Sequence, residues 1–316
     1  MGFADLKNDF VFRRIFARRP DLLRALLNDL LERRGERAIE HIDYLPSEQL
    51  PLVAGAKLSI LDVRCRDKAG TTFVVEMQLL HVAGFGNRVV YNACKAYVDQ
   101  LREGEPYTTL ADVVAISICD FALWPDAAQD AAGQPRVPML SRWNMTERAS
   151  GASGLLQVQY AFLELPKLGA SPPPPEAGAG WWAWLFVHAP ELKEVPAELP
   201  EGPYREALQL ANEATFTTAE QEAYRRARDE IQQAREYGEA QRAEGKEEGR
   251  REGKEEGLRE GEARGKAEGL RAAVLDLCEA FDIVPTEAQR AALGAMGVGE
   301  LEALRAALKT TRRWPG

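Results

Sequence analysis

Residues 57–78 read KLSILDVRCRDKAGTTFVVEMQ. Polar and apolar residues alternate over 58–66 and again over 72–79, the period of a strand with one covered face, and the run Asp67-Lys68-Ala69-Gly70 between them is made of turn formers. The stretch is therefore expected to fold as a hairpin, with Asp62 in the middle of its first strand and Glu76 and Gln78 near the end of its second. Side chains alternate across a strand, so Glu76 and Gln78 share a face, and a turn centred on Ala69 brings Asp62 opposite Glu76. Cross-strand neighbours hold their Cβ atoms about 5 Å apart. Two carboxylates at that separation repel unless a cation lies between them, and a hard divalent metal with oxygen ligands suits the pair. The plainer alternative is a hairpin whose wet face simply carries Asp and Glu.

The pattern Asp62 in one strand and Glu76-Met77-Gln78 in the next resembles the core signature of the PD-(D/E)XK nucleases, an Asp followed by Glu-x-Lys, with Gln in the last place. Flanking segments are more specific. Lys7-Asn8-Asp9-Phe10-Val11-Phe12, then Arg88-Val89-Val90-Tyr91 with Lys95 and Tyr97, then Gly104-Glu105-Pro106-Tyr107, resemble in order the recombination-promoting nuclease/putative transposase family (Rpn, YhgA-like), over residues 1–190. That resemblance implies an α/β fold with a PD-(D/E)XK restriction-endonuclease-like core, a central mixed sheet flanked by helices, followed here by an α-helical C-terminal extension. It also implies a Mg²⁺-dependent DNA endonuclease, with Mn²⁺ as a substitute metal, that hydrolyses phosphodiester bonds in DNA recombination or mobile-element biology.

On this reading Asp62 and Glu76 bind the metal, helped by a main-chain carbonyl near Gln78, and Gln78 positions the attacking water. Gln78 carries no charge and cannot act as a base, so a cation is wanted from elsewhere. Arg88, Tyr91 and Lys95 are spaced three and four apart on the following helix and share a face. Lys95 is the residue expected to reach in, with Arg88 as the other group able to offset phosphate charge; a lysine that only covers the helix surface is the alternative. Asp9, on the first helix, either stands near the metal as an acidic group often does in this superfamily, or serves the helix dipole. A second functional reading is a catalytically degenerate relative that binds DNA or a protein partner and oligomerises through its C-terminal helix. A third is a toxin-like nuclease restrained by that tail.

Taken in order, residues 5–16 and 21–34 read as helices, the second with Leu22, Leu23, Leu26, Leu27, Leu30 and Leu31 at helical spacing and Gly35 closing it. A strand at 39–45 and a loop at 46–56 lead into the hairpin. A helix over 86–102 follows, with Val90, Cys94, Tyr97 and Leu101 as its apolar stripe. Residues 113–121 are almost continuously apolar, as in a strand covered on both faces. A loop containing Pro125, Gly133, Pro135 and Pro138 separates them from a strand at 155–165. Four prolines at 172–175 end this part. The cluster Trp181, Trp182, Trp184, Leu185 and Phe186 is either core or a platform for bases.

From residue 217 the chain turns strongly charged, with Thr218 and Gln221 at capping-box spacing. Glycine then recurs at 245, 249, 253, 257, 261, 265 and 269, as KEEG, RREG, KEEG, LREG, EARG and KAEG. Each glycine costs a helix about 1 kcal/mol relative to alanine. Two readings stay open: a self-associating helix that gives a homo-oligomer, or a flexible charged tether. Leu270, Val274, Leu277, Cys278 and Phe281, then Leu293, then Leu301, Leu304 and Leu308, mark a small helical subdomain. The expected organisation is a nuclease-like domain over 1–190, a helical connector over 191–237, the repeat over 238–269 and the subdomain over 270–316.

With 45% apolar and 28% charged residues, no run long enough to span a bilayer and no basic-then-apolar leader at the N-terminus, the chain is expected to be cytoplasmic and free of membrane. The net charge of −9 argues against a nucleic-acid partner only on its face, because residues 1–190 hold 20 Lys and Arg against 22 Asp and Glu. Arg13, Arg14, Arg18, Arg19, Arg33, Arg34 and Arg37 concentrate basic charge near the N-terminus, as a phosphate groove or as a solvated helix face. Four dispersed cysteines without CxxC spacing suggest neither zinc nor disulfides. His81 follows Gln78 closely enough to approach the site, or is an ordinary loop residue.

Overall fold

A computed structural model describes residues 2–49, 59–125, 137–174 and 176–315. Two compact units form, Met1–Arg235 and Glu236–Gly316. In the first, α1 (Asp9–Phe16) starts where the Asn8 side chain accepts from the Phe10 N–H at 3.1 Å, and it buries Val11, Phe12, Ile15 and Phe16. α2 (Pro20–Leu30) buries the expected leucines up to Leu30. It ends before Gly35, because Glu32 takes φ 50° and the Arg33 N–H turns back to the Asn28 carbonyl at 2.9 Å, closing the last turn early.

Strands β1 (Ile42–Leu45), β2 (Glu48–Gln49), β3 (Ser59–Ile60), β4 (Val63–Asp67), β5 (Thr72–Gln78), β6 (Val113–Cys119), β7 (Leu140–Trp143) and β8 (Val158–Glu164) make two sheets. Six strands run in the order β1-β4-β5-β6-β8-β7, antiparallel from β1 to β5, parallel across β5, β6 and β8, and antiparallel again at β7; β2 and β3 pair separately. This is the mixed, helix-flanked sheet of the expected fold class. The hairpin register is the expected one: Val63 pairs with Val75 and Arg66 with Thr72, so the turn is centred on Ala69, with Gly70 at φ 91°.

Its first strand differs. The ladder stops at Val63, and Leu61 and Asp62 form a break rather than strand. The Asp62 carboxylate accepts the Met77 N–H at 2.6 Å, so a side chain takes that backbone donor. β7 had no counterpart in the sequence pattern; it is four residues long and sits at the sheet edge, where one partner suffices. The expected loop at 46–56 and the loop around Gly133 and Pro135 lie largely outside the described residues.

β5 divides the interior. Phe73 and Val75 face a core with Phe12, Phe16, Leu26, Trp182 and Phe186, while Val74 faces a second core with Leu61, Phe85, Val89, Ala93 and Ala115. α3 (Phe85–Val98) covers this second face. It packs through Phe85, Val89, Ala93 and Ala96; of the expected stripe Tyr97 joins this core, whereas Val90 is 47% exposed and Cys94 is exposed. Small alanines let the helix backbone approach the sheet closely, and that outweighs the larger apolar surface of Val90 and Cys94.

On the opposite face α4 (Gly178–His188) sinks Trp181, Trp182, Leu185 and Phe186 into the core, which identifies the aromatic cluster as packing. Burying each such side chain contributes about 1.5–3 kcal/mol. α5 (Pro203–Leu210) adds Tyr204, Ala207 and Leu208 to the same core. Then α6 (Thr218–Ala280) begins at a capping box one residue earlier than expected, Thr217 with Glu220. In the second unit Leu270, Val274 and Cys278 of α6 pack against Leu293 of α7 (Glu287–Ala295) and Leu301, Leu304 and Leu308 of α8 (Val298–Thr311). No helix among the described residues is long and apolar enough to cross a membrane.

Candidate functional site

Parallel strands place their C-terminal ends along one edge, where side chains from several strands meet. Glu76 and Gln78 lie at that end of β5, beside Ser117 and Cys119 of β6, and Cys119 in turn neighbours Glu164 of β8. Asp62 reaches the same end of β5 from the break before β4. Its Oδ2 accepts from the Met77 N–H, and its Oδ1 lies 3.3 Å from the Arg13 Nη2. Arg13 also binds the Asp9 Oδ1 at 2.8 Å, so α1 brings Asp9 and Arg13 together beside Asp62. Burial pushes the Asp62 carboxyl up to about 7; the Met77 N–H and Arg13 oppose the rise, and Asp9 adds to it.

Glu76 is almost fully buried on the α3 side. Its Oε1 accepts from the Asn92 Nδ2 at 2.7 Å, and its Oε2 lies 4.0 Å from the Arg88 Nη2. Burial raises its carboxyl too, with Arg88 and Asn92 working the other way. Gln78 donates through Nε2 to the Leu80 carbonyl at 2.8 Å and accepts at Oε1 from Arg88. Arg88 thus stands over both Glu76 and Gln78, with about 40% of its side chain exposed.

α3 runs back along β5, so Arg88, Asn92 and Lys95 descend from the strand end inward. Lys95 is buried one turn beyond Asn92, with its Nζ 6.0 Å from the Tyr91 ring. The α3 groups on Glu76 are Asn92 and Arg88. Asn92 was not singled out from the sequence, although its place between Arg88 and Lys95 at helical spacing was a signal of the shared face. His81 packs its ring on Phe121, 4.9 Å between centroids. The Cys119 thiol is pushed up to about 12 by burial, then by Glu164 and Glu76, so it stays protonated.

At the adjoining end of β6, Asp120 donates its N–H to the Gln78 carbonyl at 2.9 Å and pairs with Lys7 at 3.3 Å and Arg235 at 3.1 Å. Among the described residues most of the N-terminal arginines face carboxylates. Arg14 and Arg18 face Glu220, Arg19 holds Asp21 and Glu206, Arg33 holds Asp67 and Arg34 holds Asp29.

The donor set fits a hard dication. Asp62 and Glu76 offer carboxylate oxygens near one strand end, Asp62 beside Arg13 and Glu76 beside Arg88, and such oxygens are what Mg²⁺ and Mn²⁺ take. Among the described residues no three His, Cys, Asp or Glu side chains converge as a closed cage. Mg²⁺ is usually held by one or two carboxylates, with water and substrate phosphate completing its shell.

A family model described as PD-(D/E)XK nuclease family transposase matches residues 6–237. No curated protein matches the chain, and no solved structure does.

Proposed function

Because the chain belongs to the PD-(D/E)XK nuclease family transposases, we propose that it is a Mg²⁺-dependent DNA endonuclease that hydrolyses phosphodiester bonds in DNA recombination or mobile-element transfer. The observation that carries this reading is that Asp62 binds the Met77 N–H, next to Glu76 on β5, and that burial raises both carboxyls. These two residues hold the metal, which when bound polarises the scissile phosphate and lowers the pKa of an attacking water. Gln78 orients that water through its amide, which can donate and accept but not titrate. Arg88 takes the charge developing on the phosphate; in support, its guanidinium already lies on Gln78 and Glu76 and its outer side is open to solvent. Asp9 and Arg13 hold Asp62 in place from α1. Lys95 is buried further along the same helix, 6.0 Å from the ring of the exposed Tyr91.

Plasmid cleavage with Mg²⁺, with EDTA and with Asp62→Asn tests the proposal. Cleavage is expected only from the wild type with metal; cleavage by a folded Asp62→Asn variant would remove Asp62 from the site. One observation favours a second reading, a degenerate DNA- or protein-binding module: the position after Glu76-Met77 holds an amide already engaged by Leu80 and Arg88. Metal binding separates the two, since a degenerate module has no need of a poised carboxylate pair. Self-association through the C-terminal helical region is compatible with either reading, and the glycine at every fourth position of α6 is the feature that suggests it.

A further inference from the structure

The buried residues of α3 are apolar, Phe85, Val89, Ala93 and Ala96, except for the Asn92 amide and Lys95 one turn further on. Asn92 is 4% exposed. Taking an amide out of water costs about 1–3 kcal/mol unless hydrogen bonds replace those lost. A leucine of the same size would pack at this position without that cost, so packing does not explain the residue. Its Nδ2 donates at 2.7 Å to Oε1 of Glu76, a buried carboxylate sixteen positions earlier in the chain. The other oxygen, Oε2, is the one turned towards Arg88.

We propose that Asn92 is the positioning residue of the metal site: it pins Oε1 of Glu76, so that Glu76 offers Oε2 alone to the cation. This rests on the nuclease reading above and adds the group that orients one of its two ligands. A carboxylate free to rotate about χ3 presents either oxygen or both, whereas one fixed by a buried donor is set before the metal arrives. Partners that orient a ligating side chain typically account for a 10–100-fold difference in metal affinity. Asn92 touches neither metal nor DNA on this account, so its loss acts through Glu76.

The test is Mn²⁺ titration of the full-length protein without DNA, followed by electron paramagnetic resonance of the free ion, on the wild type, Asn92→Leu, Asn92→Ala and Asn92→Gln. Thermal melts of each variant and DNA cleavage as a function of Mn²⁺ run in parallel. Leu and Ala both delete the donor, one keeping the volume and one reducing it, so whichever folds carries the test. Expected is a fall in Mn²⁺ affinity of about 10–100-fold for either, with half-saturating Mn²⁺ in cleavage rising by the same factor and KM for DNA unchanged. Partial recovery is expected in Asn92→Gln, which keeps a donor on a longer stem. Mn²⁺ affinity within about twofold of wild type in a folded Leu or Ala variant would overturn the positioning role while leaving the nuclease reading intact. A wild type that binds no Mn²⁺ would overturn both.

Discussion

One Arg88 guanidinium serves both Glu76 and the Gln78 amide, beside the Asn92 amide on the same helix. Substituting Arg88→Met keeps the stem that packs near Phe85 and removes the charge. Loss of an electrostatic donor to a developing charge typically costs about 10²–10³ in rate, so kcat in DNA cleavage is expected to fall by that order while the melting temperature holds. Arg88→Lys is expected to recover little, because a point charge cannot span the two partners as a planar fork does. Unchanged kcat in Arg88→Met would reassign the cation to another residue. At this scale the sequence was informative where covalent counting sufficed: a turn centred on Ala69 fixes the register of Val63–Arg66 against Thr72–Val75, although the ladder stops before Asp62. It misled where a choice between two faces of one helix was needed. Arg88 and Lys95 share a face by spacing, yet only the depth to which α3 sinks on its alanines decides that Arg88 and Asn92, not Lys95, lie against Glu76.

Elements in the first unit are tied by buried polar contacts that no periodicity announces. Asp29 on α2 receives the Trp182 Nε1 of α4 at 2.9 Å, the Tyr204 hydroxyl of α5 at 2.7 Å and Arg34 at 2.6 Å. Gly178 opens α4 directly over that carboxylate, and a Cβ there would run into Asp29. Gly178→Ala must therefore push α4 off α2 or displace the carboxylate from its partners. Such overpacking typically costs about 1–3 kcal/mol, and urea unfolding is expected to show a loss of that order with an unchanged m-value. Full stability in that variant would mean that α4 has room to slide. The helices themselves were visible from leucine and tryptophan spacing; the carboxylate joining them was not, since a lone Asp on α2 reads as an ordinary surface residue.

The start of α6 makes a pH-dependent contribution. Backbone bonding from Thr217 holds the Glu220 carboxyl below its usual range, with Arg14 and Arg18 acting in the same sense. A carboxyl depressed in the folded state stabilises it above the unfolded pKa of about 4.5, and that contribution is lost as pH falls through the lower folded value. Wild-type stability is thus expected to decline below about pH 4.5 more steeply than that of Glu220→Gln, with the two curves converging at the acid end. Parallel curves from pH 6 to pH 3 would show that the cap carries no proton linkage.

Across the whole chain the largest unanswered demand for compensation is in α6. Seven glycines at every fourth position cost a helix about 1 kcal/mol each against alanine. The ion pairs Arg250 with Glu247, Arg251 with Glu248 and Arg264 with Glu268 lie in solvent, where screening leaves them too weak to offset that cost. A four-residue period drifts by about 40° per repeat on a 3.6-residue helix, so the glycines trace a slowly winding seam with nothing within 4 Å of their Cβ positions. If two copies meet along this seam, glycine is needed for close backbone approach, and the association offsets the helix cost. Replacing Gly249, Gly253, Gly257 and Gly261 by alanine separates helix propensity from contact. Helicity by circular dichroism is expected to rise, since alanine removes about 3–4 kcal/mol of local cost. The mass in sedimentation equilibrium is expected to drop towards that of one 316-residue chain, because added methyl groups hold the backbones apart. A wild type already at the mass of a single chain, or a variant that keeps the wild-type oligomer, would identify the repeat as a charged spacer whose glycines serve flexibility rather than contact.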